Sequence, residues 1–317
     1  MKLLPLLLLA FAAAAQAQTF PIPGKPIRIV VPFPPGGQTD IQARAIAQKM
    51  TDGLGAQVIV ENKPGGSTLI GARDVMQAAP DGHTLLYTIA VHVQLPYLYK
   101  TAPWDAFRDF TPITAGARAA TVLTAHVSVP FNDVRGLVEY AKANPGKLNY
   151  ASFGTGTTSH LNGELLKRLA GIDIVHVPYK GSGDAMRDHL TGQAQLFFDG
   201  PTTAIANAKT GKVKLIATAA ETRKAALPDL PTMRESGYDV GMWGYLWFWG
   251  PGGMQPATVD AVYQHLARGI RHPDVVELFA KGGSEAAGMP PAEFAPLARD
   301  LSERWGKVIG DLGVKLD

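Results

Sequence analysis

The segment Pro26-Ile27-Arg28-Ile29-Val30-Val31 is a near-continuous β-branched run, the pattern of a parallel strand buried on both faces. Pro32 to Gly37 breaks it, and Thr39-Asp40 offers N-cap chemistry to the next element. Ile46, Met50 and Leu54 then recur at four-residue spacing, which predicts a helix that Gly55 stops. Gln57 to Val60 reads as a second strand, Asn62 to Gly66 as a turn, and Thr84 to Thr88 as a third strand. Strand, turn and helix in alternation imply an α/β layer with right-handed crossovers.

The rhythm returns in mid-chain. Leu148 to Ser152 is a strand, Phe153 to Gly156 a glycine-rich turn, and Leu161, Leu165 and Leu169 mark a helix ended by Gly171. Ile174 to Val177, Leu196 to Phe198 and Val213 to Ala217 supply further strands. Thr121 to Ala125 and the region from Val240 to Trp249 read as strands crossing between the two halves. The last 60 residues read as helices, with Pro256 and Pro273 near two of their starts. No low-complexity linker separates the halves, so they read as interleaved lobes. Residues 18–120 with 241–317 make one, and 121–240 the other.

Composition sharpens this. Lys2, the apolar stretch Leu3 to Ala15 and the small-x-small site Ala15-Gln16-Ala17 read as a secretory signal over residues 1–17. About 13 apolar residues are too few to span a bilayer of roughly 30 Å. There is no cysteine, which excludes disulfides, thiolate chemistry and a lipidated start at Gln18. A net charge of +3 scattered without like-charge runs leaves no footprint for nucleic acid. The 34 glycines and 24 prolines suit many short β-α turns.

Two segments share one physical form. Val31 to Asp40 and Ala151 to His160 each leave a strand through glycines and open a helix. Ligands of open α/β sheets bind off the carboxyl ends of strands, and free N–H groups with the helix dipole favour an anion there. Two such turns facing each other could grip one carboxylate, although a glycine-rich turn is more often a plain connection. Neither is a nucleotide motif: G-x-G-x-x-G is absent, and no Gly-Lys pair precedes Ser or Thr. G-x-S-x-G is absent too, and Ser159 and His160, adjacent on a helix, point about 100° apart and cannot pair. His160 therefore reads as orienting its turn rather than catalysing. The eight histidines form no H-x-x-x-H pair, so no metal site is expected. Asp199 stands at a strand's carboxyl end, either facing the cleft or capping the next turn. The rings of Trp243, Tyr245, Trp247, Phe248 and Trp249 either pack the lobe junction or line the cleft for a flat acid.

The chain resembles the Bug family, also called the TctC family, of receptors for tripartite tricarboxylate transporters. The resemblance is carried by Lys25 to Gly37, Glu61-Asn62-Lys63-Pro64-Gly65, Ala79-Pro80-Asp81-Gly82 and Pro145-Gly146-Lys147-Leu148-Asn149-Tyr150. Ser159-His160-Leu161, Val175 to Gly181, and Leu230-Pro231-Thr232 with Glu235 and Gly237 continue it. It implies a type II periplasmic binding protein, a Venus flytrap of two Rossmann-like lobes that catalyses nothing. The implied ligand is a small organic carboxylate: a dicarboxylate, tricarboxylate, amino acid or aromatic acid. By the same resemblance Phe33, Gly36, Gly37, Thr39 and Asp40 of the first turn contact it. Ser152, Gly154, Thr155, Gly156, Thr157 and Thr158 of the second do so as well, with Ser159, His160 and Tyr179 in support; Asp199 joins the candidates on its place at a strand end alone. The partners implied are transporter subunits in the membrane or a sensor kinase, the location is the periplasm, the chain acts as a monomer and no cofactor is needed. The alternative from another class is a secreted hydrolase of small esters or amides. Departures bear on specificity: Gln38 replaces a common Gly, Ser or Ala, Thr157 the usual Ser, and Ser67-Thr68 a frequent Gly pair. The segment Thr88 to His92 is also shorter and more apolar than usual.

Overall fold

The computed structural model describes residues 20–241 and 244–316. The leader read at 1–17 and the ring of Trp243 lie outside the described residues. The first β-branched run forms β1 (Ile27–Val31), and the stripe of Ile46 and Met50 buries one face of α1 (Gln38–Leu54). Gly55 ends α1 at φ 64°, a left-handed conformation open to glycine without cost. β2 (Val58–Asn62), α2 (Leu69–Met76), β3 (Thr84–Thr88) and α3 (Val91–Leu98) complete the first α/β stretch.

Two strands come next, with Ala120 and Thr121 between them. β4 (Phe110–Ala119) and β5 (Val122–His126) nevertheless belong to different sheets. β5 leads into α4 (Val134–Ala143), β6 (Asn149–Ser152), α5 (Thr158–Ala170), β7 (Val175–Pro178) and α6 (Ser182–Leu190). β8 (Leu196–Asp199), α7 (Pro201–Ala208) and β9 (Val213–Thr218) close this half. The chain then returns through β10 (Gly244–Pro251) to α8 (Pro256–Ile270), α9 (Pro273–Lys281), the two-residue β11 (Glu285–Ala286) and α10 (Pro291–Leu312).

The first sheet runs β11-β4-β10-β3-β1-β2 and the second β7-β6-β8-β5-β9. In each, parallel β-α-β strands are joined by an antiparallel strand that has come from the other sheet: β10 beside β3, and β5 beside β8. This is a two-lobe α/β fold.

Two local expectations are corrected. Thr39-Asp40 does not cap α1, because Gly37 is the N-cap and no side chain caps it. The buried face of α5 is Leu161, Leu166 and Ala170, with Leu169 48% exposed, since a 3.6-residue turn drifts off strict four-residue spacing. β4 has no clear strand pattern because Pro112 and Gly116 punctuate it. Gly116 is needed there, since a Cβ would stand 2.8 Å from the Tyr87 ring.

Trp247, Phe248 and Trp249 are fully buried in the first lobe's core. Trp247 and Trp249 pack edge-on against Phe294 of α10, and the Trp247 indole N–H donates to the Ile89 carbonyl at 3.0 Å. Ser67 (φ 50°) and Thr68 (φ 85°) occupy left-handed backbone, strain that glycine would avoid.

The two lobes touch. The Gln94 amide of α3 donates to Thr158 Oγ1 of α5 at 3.0 Å, and Thr202 Oγ1 of α7 donates to the Gly282 carbonyl at 3.2 Å. Lys224 and Glu285 pair at 3.0 Å across the same gap. The cleft is closed.

Candidate functional site

Between the sheets, helix N-termini converge on one cavity. Gly37, Gln38 and Thr39 come from α1, Ala90 from the N-cap of α3, and Thr158 from α5. Ser182 begins α6, and Gly200 with Pro201 begins α7. Gly37, Thr157, Gly181 and Gly200 are the N-caps of α1, α5, α6 and α7, and none turns a side chain onto its own first turn. First-turn N–H groups therefore keep donor capacity, and each helix adds a positive dipole end.

The remaining wall is largely apolar, from Phe33, Phe153, Ile89, Tyr245 and Leu246, with Ala119, Thr121 and Gly244 at the strand crossing. Among the described residues, no Lys, Arg, Asp, Glu or His lines it. The cavity encloses about 70 Å³. A single water needs about 10–15 Å³ of such space, so a compact solute fits.

Two hydroxyls are aimed by neighbours. Thr158 Oγ1 accepts from Gln94, and Thr121 Oγ1 accepts the Asn162 amide at 2.9 Å. Each threonine proton is thereby left to donate elsewhere. On the α1 side, Tyr87 O–H donates to Gln42 Oε1 at 3.0 Å, and the Gln42 and Gln38 amides meet Ser284 Oγ at 3.2 and 3.3 Å. This relay seats Gln38 against Gly200, where a Cβ would stand 2.2 Å from Gln38 Oε1.

Of the residues expected from sequence, Phe33, Gly37, Thr39 and Thr158 line the cavity. Asp40 lies behind it. Its carboxylate accepts the Gly36 N–H and the Asn62 amide, both at 2.9 Å, and pairs with Arg44. Burial would raise its pKa, but the hydrogen bonds from Arg44, Gly36 and Asn62 together hold it below the usual carboxylate value.

The second turn spends most of its N–H groups on itself. Ser152 Oγ accepts the Gly154 N–H at 3.1 Å and meets His176 Nε2 at 2.7 Å. Thr157 Oγ1 donates to the Gly154 carbonyl at 2.7 Å, and the Gly156 N–H donates to His160 Nδ1. Gly154 and Thr155 border a shallow outer depression with Tyr179, whose O–H donates to Asp188 at 2.7 Å. This turn reaches the cavity through Phe153 and the start of α5 rather than through its glycines.

Ser159 Oγ donates to the Phe198 carbonyl at 2.6 Å, away from any base. Of the alternatives for Asp199, the geometry is that of the cap: Oδ1 accepts the Gly200 N–H at 2.8 Å and the Ser182 hydroxyl at 2.5 Å. The aromatic segment splits between its two readings, with Tyr245 on the cavity and Trp247 and Trp249 in the core.

Ser182 and Gly200 are absent from the residues expected from sequence, although their signal is present there. Val175 to Pro178 and Leu196 to Asp199 are strands that leave through Gly181 and Gly200 into helices, the same grammar as the other two turns. Thr121, Ile89 and Tyr245 carry no such local mark.

The fold and this cavity define a two-lobe solute-binding protein. The chain belongs to the tripartite tricarboxylate transporter family receptors, the Bug or TctC proteins, which it matches over residues 42–314. It is 35% identical over 291 residues, 90% of this chain and 86% of the relative, to a UPF0065 protein of a Pseudomonas species from the tcbD-tcbE intergenic region. The periplasmic binding protein BugD superposes with a TM-score of 0.88 at 34% identity, covering 92% of this chain and 99% of BugD. Two structures at 29% identity contain acids. They are R. palustris Rpa4515 with adipate (TM-score 0.88, 92% and 99% covered) and MatC from Rhodopseudomonas palustris with bound malate (0.86, 90% and 99%).

Proposed function

We propose that this protein captures a small organic carboxylate in the interlobe cavity, without chemical turnover. It would hand the acid to a tripartite membrane transporter or report it as a solute sensor. The observation that carries this reading is the convergence of helix N-termini on a cavity with no charged side chain among the described residues. Such a site neutralises an anion with oriented N–H groups and hydroxyls, and it repels a cation. The apolar wall of Phe33, Phe153, Tyr245 and Leu246 favours an acid with a short aliphatic or aromatic body. Adipate and malate in related proteins support that class.

The contacts would come from Phe33, Gly37, Thr39, Thr158 and Ser182, with Asp40, His160 and Asp199 holding the turns. The lobes would divide as 18–120 with 241–317 against 121–240, and export would accompany removal of residues 1–17. The test is a thermal-shift screen of mono-, di- and tricarboxylates against matched amines. An acid at 100 times its Kd should stabilise the protein by about 2.7 kcal/mol and be recovered unchanged. Stabilisation by amines alone would overturn the reading.

A further inference from the structure

Asp199 is fully buried, and its carboxyl stands directly behind two groups of the cavity wall. Oδ1 holds the Ser182 hydroxyl and the Gly200 N–H, whereas Oδ2 has no partner among the described residues. A buried carboxylate with one naked oxygen and no cation is costly, and an anion arriving a residue's breadth away makes it more so. Charge elsewhere does not relieve it. On α6, Asp184 pairs with Arg187, Asp188 takes the Tyr179 hydroxyl, and His189 is buried neutral between Thr124 and the Ala194 carbonyl. α7 has no ionisable side chain. On α1, Asp40 and Arg44 answer each other. On β5 and β6 the titratable groups are His126 and Tyr150, held by Ser128 and Glu164, while His160 on α5 faces its own turn.

We propose that Asp199 takes up a proton from solvent as an anion enters the cavity, and that this proton redirects the Ser182 hydroxyl from Asp199 to the anion. While Asp199 is ionised, Ser182 must donate to it. Once Asp199 carries the proton, its O–H donates to Ser182 Oγ, and the serine proton is released toward the cavity. Thr203 Oγ1, 3.2 Å from Ser182 Oγ, donates to the Gly200 carbonyl and, lying close to the Asp199 carboxyl, favours its ionised form as Ser182 and the Gly200 N–H do. Burial pushes the Asp199 carboxyl up to about 7 against its hydrogen bonds, which puts the switch near neutral pH. Asp199 is thus a positioning residue that couples capture to proton uptake, an inference that rests on the carboxylate reading.

The decisive measurements use the whole protein. A ¹³C titration of the Asp199 carboxyl without added acid should show a midpoint near 7, and a midpoint at the ordinary carboxylate value would overturn the proposal. Calorimetry with malate and with adipate in buffers of different ionisation heat should reveal uptake approaching one proton per acid bound about a unit above that midpoint. The Kd should rise up to about tenfold per pH unit there. Asp199→Asn, which has no carboxyl proton to take up, should abolish both effects. Equal heats in the two buffers would sink the coupling. Absence of any heat would count against the carboxylate reading alone, and the carboxyl midpoint would still decide for Asp199.

Discussion

His160 Nδ1 accepts the N–H of Gly156 at 3.1 Å, four residues back along the chain, and so ties the start of α5 to the turn before it. Gly156 sits at φ 82°, and a Cβ there would meet Leu98 at 2.6 Å, so the turn has one conformation to hold. The accepting nitrogen requires a neutral ring, and burial pushes His160 down to about 4. Its ring stacks on His176 at 4.0 Å, which burial likewise lowers to about 3. His160→Ala should orphan the Gly156 N–H and cost about 1–3 kcal/mol in chemical denaturation. His160→Asn should recover part of the loss through its amide oxygen.

Closure can be blocked without disturbing either core. Gly181 lies at φ 166°, extended backbone that any residue adopts, and a Cβ there would stand 2.6 Å from Cδ of Pro34 in the other lobe. Gly181→Ala should unfold at the wild-type denaturant midpoint yet bind acid at least about tenfold more weakly, a loss of about 1.4 kcal/mol. Small-angle scattering with saturating acid should show the wild type contracted and the variant extended.

Asp40 should tolerate neither Ala nor Asn. Both of its oxygens accept from donors, Gly36 on one and Arg44 with Asn62 on the other, so an Asn amide would present N–H to N–H. Either substitution should cost about 1–3 kcal/mol. Because the folded carboxyl is held below its usual 3.8, its contribution is present above that value and is lost as pH falls through the lowered one.

Acid should destabilise the first lobe through His92. Both its ring nitrogens are buried without hydrogen-bond partners among the described residues, packed against Trp104, Phe110 and Trp249, and burial pushes the ring down to about 3 from 6.5. The unfolded chain therefore binds the proton first, and stability should fall as pH drops from 6.5 toward 3. Asp199, raised in the folded state, acts with the opposite sign between 3.8 and about 7. His92→Phe should flatten the acid limb of a melting-temperature profile, since it removes the orphaned nitrogens and keeps the ring contacts.

Much of this protein is decided locally and is legible in the sequence. β1, β3 and β8 are runs of apolar residues whose burial on both faces needs no partner to be inferred, and Gly55 and Gly171 end their helices by left-handed backbone alone. The family motifs likewise mark the two turns, and glycine before a helix start implies free N–H groups wherever the chain goes. The cavity itself is not local. Ser182 and Gly200 lie far from Gly37 in sequence and meet it only because β6 parallels both β7 and β8 and the lobes close. Tyr245 and Trp247 stand two apart on one strand, where pleat alone would give them one face. The tyrosine nevertheless lines the cavity at the start of the strand while the tryptophan is fully buried in the core, a division set by what packs over each end of the strand. Asp199 is visible in the sequence as a carboxylate after an apolar run. Whether it meets the solute or stands behind Ser182 depends on where α6 packs, which no spacing within β8 encodes.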